Sequence, residues 1–250
     1  MEGHASDTAG LASTESATVC FRALSGEVQE PRPWREVSPE ALAVAAPWRT
    51  FRWHQGQRHY SGTYWSATEH DHVIYESRLE LARLMFADFD TGVRHIVAQP
   101  FLLRACVDGA ARRHIPDYLL VTDDGPIVVD VKPRARHEDP VIALTLAWTR
   151  SVVAGRGWRF EVFSEPPVAE LASVRFLAGY RRDWLFDAGL LDEVRARDLD
   201  GVTLGAACRC LPARPVPLVR AAVLHLLWQQ ELVTDLGRPL SAVHVLRRAR

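Results

Sequence analysis

The sequence predicts an α/β protein whose core runs as one helix, three antiparallel strands, a second helix and a fourth strand. Helical spacing of apolar residues marks the two helices, from Tyr75 to Phe89 and from about Asp139 to Ala154. Two turn signals, Asp108-Gly109 and Thr122 to Pro126, separate the three strand segments between these helices. A fourth strand after the second helix requires a crossover connection, so we expect a mixed sheet with helices on its faces.

Four apolar segments have the length and the content of β-branched and aromatic residues that strands favour. They run from Arg94 to Val107, Ala111 to Val121, Pro126 to Lys132 and Trp158 to Phe163. The first three follow one another through short turns and therefore form a meander.

The first helix carries two acids one turn apart, Glu76 and Glu80. As structural residues they would be surface acids that pair with Arg83. In the chemical interpretation, Glu76 at the helix start would lie over the sheet and supply a further carboxylate there.

The turn after the second strand decides which residues of the second and third strands face each other. If the turn is centred between Asp123 and Asp124, Asp117 lies directly across from Asp130. Side chains alternate between the faces of a strand, so Lys132 shares a face with Asp130. Two carboxylates and an ammonium group are therefore expected on one face of the sheet.

Two carboxylates that face each other on adjacent strands repel, and a divalent cation removes that repulsion. Lysine beside such an ion can orient or deprotonate an attacking water. The pattern of Asp117, a dozen residues and then Asp130-x-Lys132 is the PD-(D/E)xK nuclease signature, and Pro116 is also present. So short a pattern occurs often by chance, and two exposed hairpin carboxylates are the structural alternative.

Lys132 is the only lysine of the chain, which has 30 Lys and Arg residues in total. The sequence otherwise uses arginine wherever a positive charge is present. A guanidinium group stays protonated and has a forked shape, whereas a compact ammonium group can lose its proton when desolvated. The single lysine, two residues after Asp130, therefore marks a position that arginine does not suit.

Composition and charge set bounds on the class of protein. At 250 residues, of which 48% are hydrophobic, the chain is long enough for one large or two small domains. The formal net charge is −1, so no overall positive charge indicates nucleic acid. From Leu171 onward 12 arginines stand against 8 acids, whereas residues 1–170 have 18 basic and 23 acidic residues. This split permits DNA contact without indicating it.

The sequence gives no sign of a membrane partner or an oxidising compartment. It has no run of about 18 apolar residues, and its N-terminus lacks the pattern of a signal peptide. The four cysteines, Cys20, Cys106, Cys208 and Cys210, do not form the paired motifs of a metal site. We therefore expect a cytoplasmic protein with reduced thiols.

We expect three regions along the chain. Residues 1–20 are rich in Ser, Thr, Ala and Gly and are predicted to be disordered. Residues 21–165 hold the core with an N-terminal extension, and residues 166–250 form a small, mainly helical C-terminal domain with a winged-helix-like end. The helices predicted in this last region run from Val168 to Asp187, Leu190 to Asp198 and Pro217 to Leu232.

Three short segments before the first helix allow more than one interpretation. Phe51 to Gln57 and Tyr64-Trp65 are predicted strand pieces, whose aromatic side chains suit core packing or stacking on bases. Glu69 to His72 has the composition of a metal cluster, but we interpret it as a solvated segment that leads into the helix.

The order of elements, with Asp117 on the second strand and Asp130-x-Lys132 on the third, resembles the restriction-endonuclease-like αβββαβ fold. Four blocks are similar to the TnsA-type endonuclease subunit of heteromeric transposases, over roughly residues 60–165. At the position of Asp130, some members of that family carry Gln, whereas this chain carries the acid. The blocks are Tyr75 to Glu80, Val97 to Phe101, Pro116 to Tyr118 and Val129 to Pro133.

The resemblance implies a site and a task. Glu76, Asp117, Asp130 and Lys132 would be catalytic, and the three acids with the carbonyl group of Val131 would hold Mg²⁺, which Mn²⁺ can replace. The subunit would cut double-stranded DNA at the 5′ ends of a mobile element. An integrase-like partner would cut and join the 3′ ends, and an AAA+ regulator commonly controls such assemblies.

Two other functions remain open from the sequence. A stand-alone restriction or repair nuclease on the same fold would cut DNA unaided, and a non-catalytic adaptor would only bind partners. The intact Asp117, Asp130 and Lys132 argue against the adaptor. Arg134 and Arg136, just past the third strand, are candidate DNA-phosphate contacts, and ordinary surface arginines explain them equally well.

Overall fold

The computed structural model describes residues 16–49 and 60–249 of the chain. The strands are β1 (Thr18–Cys20), β2 (Arg32–Pro33), β3 (Gly62–Ser66), β4 (Asp71–Tyr75), β5 (Val93–Ala98), β6 (Leu102–Val107), β7 (Ala110–His114), β8 (Tyr118–Thr122), β9 (Gly125–Val131), β10 (Arg159–Phe163), β11 (Leu232–Val233) and β12 (Arg247–Arg248). The α-helices are α1 (Pro39–Ala43), α2 (Arg78–Phe89), α3 (Pro140–Ala154), α4 (Val168–Leu177), α5 (Ala188–Arg195), α6 (Leu204–Ala207) and α7 (Val216–Trp228).

The sheet that carries the predicted site is four-stranded and mixed, with the order β10-β9-β8-β5. β10 is parallel to β9, and the other neighbouring pairs are antiparallel. The connection from β9 to β10 runs through α3, whose first turn is capped by Asp139. The predicted mixed α/β architecture and its crossover are therefore confirmed.

The predicted register of the hairpin is confirmed as well. Tyr118 pairs with Val129, and Thr122 pairs with Gly125 at the turn end. Gly125 has a φ of 97°, which glycine adopts without the steric cost that a side chain would add. Continued by one residue beyond Tyr118, this register sets Asp117 opposite Asp130.

The long strand predicted from Arg94 to Val107 is instead two strands, β5 and β6. Gln99 between them has a φ of 45°, and Pro100 has no backbone N–H for a strand ladder. The segment predicted from Ala111 to Val121 is broken likewise, into β7 and β8, at Ile115 to Asp117. β6 and β7 join a second sheet, of order β2-β1-β6-β7.

The strands β5 and β6 pair with β8 and β7 as the two arms of one long hairpin. The break changes the pairing register between its two halves. Ala98 pairs with Tyr118 on one side of it and Leu103 pairs with His114 on the other. Five residues separate the two positions on one strand and four on the other, so the chain takes up one extra residue, as in a β-bulge. The hairpin therefore bends, and Asp117 lies at the bend.

The prediction that residues 1–20 are disordered is wrong for Thr18–Cys20, which form β1. Val19 is fully buried and pairs with Leu103. Trp34, also fully buried, donates from its indole N–H to the carbonyl of Val152 at 3.1 Å. The start of the described chain therefore belongs to the hydrophobic core, because Val19 and Trp34 pack in the same buried cluster as Leu103 and Val152.

The first predicted helix begins three residues late. Tyr75 ends β4, which pairs with β3, and the helix begins at Arg78 because the Ser77 hydroxyl accepts the Glu80 N–H at 3.1 Å. Asp71 and His72 therefore lie in a strand rather than in a lead-in to a helix. The predicted strand at 51–57 falls outside the described residues.

The chain divides into two compact units. The second unit consists of residues 65–71, 84–91 and 166–250, and the remaining described residues up to 165 form the first. In the second unit α7 is buried along most of its length and packs against α4 and α5. α4 ends at Leu177, ten residues before the predicted end, and two short 3-10 turns follow it. In the described residues, no helix is long and apolar enough to cross a membrane.

Candidate active site

Asp117, Val131 and Lys132 meet at the bend of the hairpin. The Asp117 Oδ2 atom accepts the Val131 backbone N–H at 2.6 Å and the Lys132 Nζ at 3.0 Å. Lys132 Nζ also donates to the Val131 carbonyl oxygen at 3.0 Å. The side chains of Asp117 and Lys132 keep 22% and 26% of their exposure, so both groups remain open to a ligand.

Asp130 has a separate partner that sequence reasoning did not find. Both of its carboxylate oxygens lie within hydrogen-bond distance of His114 Nε2, at 2.8 and 2.9 Å. The Asp130 side chain is fully buried, and that of His114 is 14% exposed. The two facing aspartates thus have different side-chain partners, Lys132 for Asp117 and His114 for Asp130.

Electrostatics at the Asp117–Lys132 pair favour the charged lysine. Burial alone would lower the pKa of Lys132, but the nearby Asp117 and Asp130 carboxylates outweigh it and raise that pKa. Burial raises the pKa of Asp117, Lys132 acts against this, and Asp130 adds to it. Lys132 is therefore an ammonium group at neutral pH in the metal-free protein, suited to orienting a water rather than deprotonating it.

Glu80 is the acid of α2 that is electrostatically coupled to this cluster. Burial and the Asp117 charge raise the pKa of Glu80 to about 7. Its carboxylate accepts the Glu76 backbone N–H at 2.7 Å and the Ser77 hydroxyl at 3.0 Å. The helix start thus holds Glu80 close enough to Asp117 for their charges to interact.

Glu76 lies just before α2 and is held from the other side. Its Oε1 atom accepts the side-chain amide of Gln99 at 2.8 Å, while the amide oxygen of Gln99 accepts the Arg49 N–H at 3.0 Å. The backbone N–H of Gln99 donates to the Asp117 carbonyl at 2.8 Å. Gln99 therefore links Glu76 to the strand end that carries Asp117.

The structural alternative for the two glutamates, pairing with Arg83, does not occur. Arg83 is buried and forms an ion pair with Glu161 on β10, with nitrogen–oxygen distances of 2.9 Å. Because Arg83 is paired with Glu161, it is not available as a basic partner for Glu80 on the same helix.

The donor set suits a hard divalent cation in its chemistry. Asp117 Oδ2 and the Val131 carbonyl oxygen already converge on one positive atom, Lys132 Nζ. Oxygen atoms of this kind are the ligands that Mg²⁺ prefers. Within residues 16–49 and 60–249, no group of three or more His, Cys, Asp or Glu side chains is arranged to hold a metal ion. The carboxylate of Asp130 faces His114, so a metal bound there would share it with that histidine.

The arginines predicted to contact DNA are engaged with the protein. The Arg134 guanidinium donates to the Glu165 carbonyl at 3.1 Å, and its backbone N–H donates to the Glu165 carboxylate at 3.0 Å. Arg136 pairs with Asp139 at 3.4 Å. Both arginines are exposed, and these contacts agree with an ordinary surface role as well as with a DNA contact.

Three residues of the site went unassigned in the sequence. Glu80 had a signal, since Ser77 and Glu80 have the spacing of a capping box. His114 had none, because its place beside Asp130 depends on the bend between β7 and β8. Gln99 likewise depends on its left-handed backbone, which nothing in its sequence neighbours except Pro100 indicates.

Comparison with known proteins adds no family to this geometry. No protein-family model matches the chain, and no curated protein matches it.

Proposed function

We propose that the chain is a metal-dependent DNA endonuclease built on a restriction-endonuclease-like core. The observation that carries the proposal is the convergence of Asp117, the Val131 carbonyl and Lys132 next to Asp130. The order α2, β5, β8, β9, α3, β10, from which β6 and β7 are left out because they pair in the second sheet, supports it, since a mixed sheet with a crossover is compatible with such a core.

The proposed chemistry is hydrolysis of a phosphodiester bond. Asp117, Asp130 and the Val131 carbonyl would hold Mg²⁺ or Mn²⁺, with Glu76 and Glu80 as acids near its waters. A bound metal ion stabilises negative charge that develops on the phosphate. Lys132 would orient the attacking water and add positive charge beside the scissile phosphate.

The protein's task in this proposal is one half of the excision of a mobile element. The four sequence blocks that resemble TnsA-type subunits support cleavage at the 5′ ends, with an integrase-like partner acting at the 3′ ends and an AAA+ regulator controlling assembly. A stand-alone restriction or repair nuclease is the second candidate, because the same site geometry would serve it.

Cleavage of labelled element-end DNA tests the proposal. The wild-type chain is compared with Lys132→Ala, Lys132→Arg and Asp117→Asn, each alone and with an integrase-like recombinase partner, in Mg²⁺ or Mn²⁺. We expect 5′-end cuts only with the partner, and a loss of rate of about a hundredfold or more in each variant. Arg94→Gln, an exposed arginine paired with Asp123, is the matched control and should cut normally.

Each outcome decides between the functions. Lys132-dependent cutting without the partner would support the independent nuclease. Absence of cutting in every mixture, while the partner still binds, would reject both nuclease functions and leave an adaptor. Full activity of Lys132→Arg would reject the role proposed for the single ammonium group.

A further inference from the structure

A row of polar side chains crosses the sheet of β2, β1, β6 and β7. Thr18 pairs with Arg104, and Arg104 pairs with Arg113 on the next strand. Residues directly opposite each other in antiparallel strands point to the same face, and neighbouring strands lie about 4.8 Å apart. Thr18, Arg104 and Arg113 therefore form a line roughly 10 Å long, which we call the arginine row.

The two arginines of the row are exposed, and no residue in the described part of the chain pairs with their guanidinium groups. Neither Arg104 nor Arg113 makes a hydrogen bond or ion pair with another residue of the described ranges. Two exposed arginines of the same unit differ from them: Arg94 donates twice to Asp123 at 2.7 Å, and Arg159 donates to Thr122 at 2.8 Å. Like charges directly across a sheet destabilise it, so a bound anion would relieve a cost that the protein leaves in place.

The row lines a concave surface. A cavity of about 410 Å³ is bordered by Thr18, Arg104, Arg112, Arg113 and Cys106, with no acidic residue in its lining. Guanidinium groups bind phosphate through paired hydrogen bonds, and the threonine hydroxyl adds a further donor. The cavity therefore has the shape and the chemistry of a phosphate-binding surface.

The strand that carries Arg113 leads directly into the candidate active site. β7 ends at His114, whose Nε2 atom lies 2.8 Å from Asp130. Arg113 is the preceding residue, so its backbone lies one residue from a group that contacts the site. Because side chains alternate along a strand, the row lies on the face of β7 opposite to the His114 side chain, and it is next to the site only along the backbone.

We infer that the arginine row binds the sugar-phosphate backbone of duplex DNA. Duplex DNA carries one charge per about 1.7 Å of its axis, so a row of this length meets several phosphates. The identity of the polyanion rests on the proposed function, whereas the binding of phosphate rests on the row itself.

Binding without cleavage tests the inference. The full chain is titrated in EDTA against a fluorescent duplex of arbitrary sequence, from about 50 to 200 mM salt. Arg104→Gln/Arg113→Gln is compared with the wild type and with the control Arg94→Gln/Arg159→Gln, which removes the same charge from arginines that have protein partners. We expect the first pair to weaken binding about tenfold and to lower the slope of log K against log salt by about 1.8, since each phosphate contact contributes about 0.9.

Equal losses in the two double variants, or no binding of duplex by the wild type at low salt, would overturn the inference. The nuclease proposal is judged separately, by Lys132-dependent cutting. A chain that binds through the row and never cuts retains the inference and loses the function. A chain that cuts while the row variant binds normally retains the function and loses the inference.

Cys106 provides a second readout in the unmodified sequence. Its thiol is exposed in the cavity, whereas Cys20 and Cys208 are buried and Cys210 is partly exposed in the other unit. Alkylation by N-ethylmaleimide, followed by mass spectrometry, should slow severalfold at Cys106 when duplex is added and stay constant at Cys210. If inorganic phosphate at the same phosphate concentration protects the Cys106 thiol equally well, the row is only an isolated anion site. That result would overturn the inference that the row binds the DNA backbone.

Discussion

At Glu80, the structure predicts a dependence of stability on pH. Burial and the Asp117 charge raise its pKa to about 7, above the ordinary value of 4.5, so the folded protein binds this proton more tightly than the unfolded chain does. The stabilisation is complete below pH 4.5 and is lost as the pH rises toward 7. Glu80→Gln should therefore gain stability over the wild type by up to about 3 kcal/mol at pH 8 and by much less at pH 5.

Urea unfolding at the two pH values, in EDTA, measures this difference. Glu138→Gln, at an exposed carboxylate away from the cluster, corrects for the loss of one surface charge. A gain for Glu80→Gln that is the same at both pH values would show that the Glu80 carboxyl is not desolvated beside Asp117.

Single residues of the site differ in how far the sequence reveals them. Asp117, Asp130 and Lys132 were predicted because strand alternation and one turn fix their faces and their register. His114 was missed because it meets Asp130 only through a bend that no periodicity records. The prediction that Asp117 and Asp130 share a divalent cation stays a prediction, and in the structure Asp117 contacts Lys132 while Asp130 contacts His114.

At the scale of the elements, the side-chain amide of Gln99 connects the bend between β5 and β6 to the segment before α2. Gln99 donates to Glu76 at 2.8 Å. Gln99→Glu places two carboxylates at that contact and should destabilise the protein by about 1–3 kcal/mol at pH 8. The exchange variant Glu76→Gln/Gln99→Glu restores a donor on the opposite side and should recover most of that loss, as measured by urea unfolding.

The double variant is its own control, because it has the composition of the wild type at these two positions. If its loss of stability equals the sum of the two single losses, the amide contact does not join the bend to the helix start. A Gln99→Glu variant as stable as the wild type would lead to the same conclusion.

The observed elements match the predicted ones where local residues determine the structure. They differ where tertiary contacts determine it. The turn at Asp123 and Asp124 carries its own signal, so the β8–β9 register was predictable. The division of Arg94 to Val107 was not, because its apolar pattern continues through Gln99 and Pro100 while the two halves pair in different sheets. β1 was not predicted because its three residues become a strand only by pairing with β2 and β6, which are distant in sequence.

At the scale of the whole molecule, the second unit takes residues from three parts of the chain. Trp65 contacts Trp184 with ring centroids 4.5 Å apart, and Phe89 contacts Trp228 at 5.2 Å. Residues 166–250 expressed alone lack both Trp65 and Phe89. We expect that fragment to unfold without a cooperative transition, with less helix than the same residues have in the full chain, by circular dichroism in urea.

The full chain cut between Glu165 and Pro166 is the matched control, since every residue of the second unit is then still present. It should keep its helical signal and a cooperative transition. A fragment 166–250 that unfolds as cooperatively as the cut chain would show that residues 65–71 and 84–91 are dispensable for the second unit.

The single lysine gives the candidate active site a spectroscopic label of its own. Apart from the amino terminus, Lys132 Nζ is the one primary amine of this sequence, so reductive methylation with isotope-labelled formaldehyde marks that atom. Its nuclear magnetic resonance signal reports on the oxygens of Asp117 and Val131 that hold it, both 3.0 Å away. Metal, DNA and candidate partner proteins can then be added in turn and followed at the candidate active site, without a mutation in the chain.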